Sequence, residues 1–296
     1  MILIADSGGS KTDWALISLP TDTSKCVLRV RTQGLNPFHQ SKDVILHTLE
    51  QELIPALIKA TEQNNNSLRK TDIAKLVTQI YFYGAGCTKR LSPIVCDALV
   101  MAFPSASMKV ESDLLGAAHA VCGHEAGIAC ILGTGANSCQ YDGEQIVANI
   151  PPLGYILGDE GSGAVLGKLL LNGIFKGDLP TEIRDLYLEW SGLSYPEIID
   201  KVYRQPLANR FLAGISRFIK DNLQHTELEA LVEYNFDNFF KKNILKYKSF
   251  PIRTISAVGG IAAAFEPQLR ASANRFDYQV GKVIASPIEG LIEYYS

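Results

Sequence analysis

No run of apolar residues in this chain approaches the roughly 20 that a membrane-spanning helix needs, and neither charge dominates. Its 28 Lys and Arg stand against 31 Asp and Glu, a formal net charge of −3. Such a balance creates no field that would gather nucleic acid or an anionic membrane, and neither is expected as a partner. Paired cysteines are missing too. Cys26, Cys87, Cys96, Cys122, Cys130 and Cys139 are scattered with no C-x-x-C among them, which speaks against a structural zinc site. Cys122-Gly-His124 is the nearest approach to one, and buried thiols in a reducing cytoplasm are the expectation. Low-complexity segments and an evident linker are absent, and Met1 opens on an apolar strand without a basic leader. A cytoplasmic protein of two domains, or one large one, is therefore expected from 296 residues.

What is present is an alternation of strands and helices that begins twice. The segments 1–6, 12–19 and 25–34 read as strands, 43–59 as a helix, 79–86 as a strand, 91–103 as a helix and 106–113 as a strand that ends on an acid before a further helix. The opening theme returns at GIACILGTG (127–135) and NSCQY (137–141), followed by a turn at YDGEQ. A long helical stretch comes next. The strand IRTISAVGG, a helix, the strand YQVGKVIA and a last short helix close the chain. Two related halves, each starting with a glycine-turned hairpin, would bring two glycine turns face to face across a cleft.

Four glycine-centred stretches and one carboxylate carry candidate chemistry. In DSGGSKTD (6–13), Gly8 and Gly9 allow backbone amides to converge on a polyanion; Ser10 and Thr12 add hydroxyls and Lys11 a cation. Asp6 suits Mg²⁺, directly or through water. An ordinary hairpin remains the alternative. LGTGANS (132–138) offers the same kinds of donor at Gly133, Thr134, Gly135, Asn137 and Ser138, with a plain hairpin turn as the alternative. The pair Gly259-Gly260 joins a strand to a helix, which suits either close approach of a ring or tight packing. GDEGSG (158–163) sets two acids at a helix start, where the helix dipole favours them in any case. Asp113 reads as a general base at a strand's C-terminal end or as a helix N-cap.

In this order the motifs D-x-G-G-[ST]-K-T, D-x-x-G-A, G-T-G-[AS]-N, G-D-E-G-S and V-G-G resemble one group. The chain is similar, from Asp6 to its final helix, to the N-acetylglucosamine kinase-like proteins of the BadF/BadG/BcrA/BcrD ATPase family, in the sugar kinase–Hsp70–actin superfamily. The resemblance implies an α/β fold of two ribonuclease-H-like, actin-like ATPase domains with a nucleotide cleft between them. The first domain would span 1–114, completed by 284–296, and the second 115–283 with a helical insertion at about 161–247. It implies ATP and Mg²⁺ as cofactors, an amino sugar as substrate and a homodimer.

Residue by residue, the resemblance implies a first phosphate loop at Asp6, Gly8, Gly9, Ser10, Lys11 and Thr12, with Asp6 toward Mg²⁺. A second phosphate loop falls at Gly133, Thr134 and Gly135, an adenosine motif at Gly259 and Gly260, and the catalytic aspartate at Asp113. Sugar contacts carry over to Asn36, Asp113, Thr134, Asn137, Gly154 and Asp159. The implied reaction is transfer of the γ-phosphoryl group of ATP to a sugar's primary hydroxyl, N-acetylglucosamine giving its 6-phosphate, with glucosamine and N-acetylmuramic acid as alternatives. Where animal members carry Trp-Gly before GDEG, this chain has Leu153-Gly154, which removes an aromatic wall. The activator ATPases of the group hold an iron–sulfur cluster between subunits; here Cys87 has no recognisable partner in Cys122 or Cys130.

Overall fold

A computed structural model of the chain describes residues 1–9, 11–18, 27–62, 70–247 and 250–296; Ser10 and Cys26 lie outside the described residues. The chain divides into two compact units, Met1–His124 with Pro287–Ser296, and Glu125–Ser286.

In the first unit β1 (Ile2–Ser7), β2 (Lys11–Ile17), β3 (Val27–Gln33), β4 (Gln79–Gly84) and β5 (Ser107–Ser112) form one sheet in the order β3-β2-β1-β4-β5. The first three strands run as an antiparallel meander, while β4 and β5 lie parallel to β1. The alternation of β1 and β2 sends Leu3, Ala5, Trp14 and Leu16 into a core with Ile45, Leu49, Leu57, Val95 and Leu99. Those partners come from α1 (Lys42–Thr48), a π-helical turn at Leu49–Leu53, α2 (Ile54–Glu62) and α4 (Ser92–Ala102). The intervening helix α3 (Lys70–Leu76) is not read from the sequence, being two turns of largely polar residues. On the other face of the sheet lie α5 (Asp113–Cys122) and the C-terminal helix Ile288–Tyr295, both against β1. Parallel pairing aligns Ser7, Gly84 and Ser112 at the C-terminal edge of β1, β4 and β5.

The second unit repeats this plan. β6 (Gly127–Leu132), β7 (Ala136–Tyr141) and β8 (Ile146–Asn149) form the meander, and β9 (Thr254–Val258) and β10 (Gln279–Ile284) follow parallel to β6, in the order β10-β9-β6-β7-β8. Four-residue β8, read from the sequence as no element at all, completes the match. Between β8 and β9 run α6 (Gly154–Leu157), α7 (Gly163–Lys176), α8 (Thr181–Ser191), α9 (Tyr195–Tyr203), α10 (Ala208–Gly214), α11 (Ser216–Asp221) and α12 (Thr226–Lys242). α13 (Gly260–Ala264) and α14 (Glu266–Arg275) separate β9 from β10. Ile128, Cys130 and Leu132 of β6 pack with Leu166, Leu170, Phe236 and Phe240 of the helices. Among the described residues no helix is long and apolar enough to cross a membrane.

Candidate active site

The first glycine turn closes with Gly8 N–H donating to the Lys11 carbonyl over 3.0 Å. Among the described residues, a Cβ built on Gly8 would meet only the Lys11 oxygen, at an ordinary 3.8 Å. Asp6 and Asp13 face each other across the hairpin. Asp13 is held by Lys11 at 2.7 Å and Arg31 at 2.6 Å; burial would raise its carboxyl, but these hydrogen bonds and charges prevail and keep it below the usual range. Asp6 has no such cation of its own. Burial first, then the negative Asp113 and Asp13, push it up to about 7, with Lys11 opposing.

Thr12, expected among the phosphate donors, points the other way. Fully buried, its hydroxyl lies 2.6 Å from Ser7 Oγ, donates to the Gln33 carbonyl over 3.2 Å and accepts from Leu35 N–H at 3.2 Å. It ties the hairpin to the end of β3, and no capacity is left for a ligand. Period-two alternation already contains this: Thr12 shares a strand face with Trp14 and Leu16, whereas Lys11 and Asp13 share the opposite one.

Asp113 stands just past β5 as the first residue of α5. The N-cap role falls to Ser112, whose Oγ accepts from Leu115 N–H at 3.3 Å. Asp113 is thereby released from capping; its carboxylate accepts from Leu114 N–H at Oδ1 over 2.9 Å and from its own N–H. Burial raises its carboxyl above the ordinary carboxylate value despite the backbone bonds. Its field also reaches Cys87, whose thiol burial, then Asp113 and Glu111, push up to about 12. The β4 loop carrying Cys87 touches Asn36. A Cβ on Gly86, where φ is +79°, would lie 2.3 Å from Asn36 Oδ1. That oxygen accepts from Phe38 N–H at 2.9 Å, so Asn36, Gly86, Cys87 and Asp113 form one neighbourhood at the sheet's C-terminal edge. Exposed Phe38 belongs to it and went unread in the sequence, since a lone surface aromatic carries no pattern.

In the second unit Gly133 N–H donates to the Gly135 carbonyl at 2.9 Å, the counterpart of the first turn. The start of α7 locks this turn: Gly163 and Ala164 N–H donate to the Gly133 and Thr134 carbonyls at 2.8 and 3.2 Å. Gly259, at φ +125°, passes so close that a Cβ would be 2.2 Å from the Leu132 carbonyl oxygen. A Cβ on Gly133 or Gly260 meets nothing within 4 Å among the described residues. The turn at Gly133–Gly135 and the Gly259-Gly260 pair are thus packed together. Asp159, buried and left-handed at φ 59°, lies beside Gly135 and accepts from Ala136 N–H. Burial is the main reason its carboxyl rises to about 6; Glu160 adds to it, against the Ala136 bond and Lys168. Its own N–H donates to the Pro152 carbonyl at 2.9 Å, which ties Asp159 to the exposed Leu153-Gly154 segment.

Among the described residues, no group of three or more His, Cys, Asp or Glu is arranged to hold a metal ion, and none of the five cysteines forms a disulfide. No family model and no curated protein matches the chain. Solved structures do. A candidate N-acetylglucosamine kinase from Porphyromonas gingivalis is 41% identical over 100% of this chain and 98% of its own, with a TM-score of 0.89. One from Chromobacterium violaceum, at 16% identity, covers 100% of this chain and 98% of its own with a TM-score of 0.72. A glucokinase of the ROK family from Streptomyces griseus, solved with glucose and AMPPNP, is 15% identical over 99% and 97% with a TM-score of 0.53. The last two show the two-domain, actin-like ATPase fold. At 41% identity over its whole length, the chain belongs to the family of the Porphyromonas protein, the N-acetylglucosamine kinase-like branch of that fold.

Proposed function

We propose that this chain is an ATP-dependent kinase that phosphorylates the primary hydroxyl of an amino sugar, N-acetylglucosamine giving the 6-phosphate. Asp113 is the observation that carries the reading. It is an acid at the C-terminal edge of the parallel strands β1, β4 and β5, relieved of capping by Ser112 and raised by burial, which suits a general base for a hydroxyl. The names borne by full-length relatives support the same activity.

The phosphates of ATP meet backbone amides of the turns at Gly8-Gly9 and Gly133–Gly135, with Lys11 adding charge at the first. Gly259 and Gly260 bring backbone close to the adenosine. Mg²⁺ takes one or two carboxylates and keeps most of its water; the buried carboxylate of Asp6 fits that demand. Bound Mg²⁺ would neutralise phosphate charge. Asp113 accepts the hydroxyl proton as the oxygen attacks. Asn36, Thr134, Asn137, Gly154 and Asp159 hold the sugar, and a sugar lacking a matching group is rejected because a buried polar partner is left unpaired. A buried Cys87 thiol pushed up to about 12 favours this reading over a cluster-bearing activator, which needs thiolates. A homodimer in a reducing cytoplasm completes the proposal.

The test is ADP release by the pure protein with Mg-ATP and a panel of N-acetylglucosamine, glucosamine, N-acetylmannosamine and N-acetylmuramic acid. Sugar-dependent release, with phosphate located on the C6 oxygen, is the expected result; no release with any sugar would sink it. Light scattering of the same sample reads the oligomer.

A further inference from the structure

Asn137 is the second residue of β7, two residues beyond the second glycine turn. Its Oδ1 accepts two hydrogen bonds, from its neighbour Ser138 N–H at 2.9 Å and from Asn149 Nδ2 at 2.8 Å. A backbone N–H can only donate, so the atom facing it is the amide oxygen and the orientation of the Asn137 amide follows from chemistry. Asn149 ends β8, opposite Cys139 of β7. Its Nδ2 also donates to the Ser138 carbonyl at 2.7 Å and lies 3.2 Å from its next neighbour's, Ile150. Those carbonyls can only accept, which fixes the Asn149 amide in turn.

With both lone pairs of Oδ1 occupied, Asn137 has only its NH₂ group to offer a ligand. We propose that Asn149 is a positioning residue of the sugar site: it holds Asn137 with the NH₂ group toward the sugar, so that this position reads an acceptor oxygen on the substrate. The inference rests on the reading of Asn137 as a sugar contact. A hydroxyl or acyl carbonyl oxygen satisfies the requirement, whereas an ammonium group, donor only, does not. Nothing in the sequence marks Asn149, because the pairing of β7 with β8 brings it to Asn137.

Asn149→Asp tests this. The change is nearly isosteric and lies at an exposed strand end, but it replaces the donor with an acceptor facing Asn137 Oδ1. The sugar KM should rise about tenfold, the effect of losing one well-placed hydrogen bond, while the ATP KM and Tm stay close to wild type. In an Asn137→Ala background the same substitution should add nothing, since the two residues act as one unit. An unchanged sugar KM in Asn149→Asp overturns the proposal. So does an equal rise in the Asn137→Ala background, or a parallel rise in the ATP KM, because either means that Asn149 acts through the fold. Asn137→Ala with an unaltered sugar KM removes Asn137 from the site and the proposal with it, yet leaves kinase activity standing. A wild-type chain inert toward every sugar removes the functional reading and, with it, this one.

Discussion

The two glycine turns are the same device set in different surroundings. Each joins the first antiparallel pair of its sheet and closes with one backbone bond, Gly8 to Lys11 and Gly133 to Gly135. The first is rimmed by charge. Asp6 and Asp13 lie on one strand face with Lys11 and Arg31 beside them, and among the described residues Gly8 has no close packing contact. The second is stripped of charge within the turn and clamped instead by backbone: the α7 amides take its carbonyls, and Gly259 crosses at a distance that only hydrogen permits. One turn is therefore built to place charges and the other to place amides. Local sequence alone, two glycines in each turn, does not separate these jobs.

The largest expected effect separates chemistry from either turn. Asp113→Asn should lower kcat by about 10²–10⁴-fold, the usual contribution of a positioned base, with the ATP KM within a few-fold. A variant keeping a tenth of wild-type turnover would return Asp113 to an ordinary first-turn acid.

Next comes the contrast of clamped and open glycines. Gly259→Ala drives a methyl into the Leu132 carbonyl at an unfavourable φ, so Tm and ATP affinity should fall together. Gly133→Ala has open space around it and should raise the ATP KM at nearly unchanged Tm. Equal Tm values for the two variants would break the distinction between clamp and cradle.

Within the first turn the contrast runs between neighbours. Thr12→Ala removes a buried hydroxyl bonded to Ser7, Gln33 and Leu35, while Leu35 N–H keeps Ser7 Oγ at 3.0 Å; it should cost about 0.5–1.5 kcal/mol of stability, seen in urea unfolding, with ATP kinetics little changed. Lys11→Ala loses a half-exposed ion pair, worth little to stability, and should instead raise the ATP KM. Reversed outcomes would mean that Thr12, not Lys11, serves the phosphate.

The smallest effect concerns Asp159. Its folded value of about 6 exceeds the ordinary 3.8, so the folded state binds more protons than the unfolded between those values. Its contribution to stability is then fully present at low pH and is lost as pH rises through about 6. Asp159→Asn, which keeps an acceptor for Ala136 and tolerates a left-handed backbone, should raise Tm at pH 8 by about 2–4 °C. The gain should fade below pH 4, and the sugar KM at pH 8 should rise. A Tm gain independent of pH would exclude the buried charge as its source.

The order of glycine turns and acids made the fold legible, because a tight turn before a strand leaves few residue choices. Thr12 was legible and misread: the motif drew it to the phosphate, although alternation with Trp14 and Leu16 points it into the core. Asp113 and Ser112 could not be ranked as caps from sequence, both being good ones; the point where β5 ends and α5 begins chose Ser112. β8 and α3 were hidden by their shortness, since two turns or four residues show no period.

By itself the sequence determined what depends on near neighbours along the chain. The strand periods, the glycine turns and the acid at the end of β5 all follow from adjacent residues and local sterics. Tertiary structure alone decided which groups from distant segments meet. It set Asp6 opposite Asp13 and within the field of Asp113, brought Gly259 against Leu132, and turned the Asn137 amide through Asn149. Hydrogen bonds and desolvation act over a few ångströms of space whatever the separation in sequence. The register of paired strands fixed those short distances, and no local pattern encodes them.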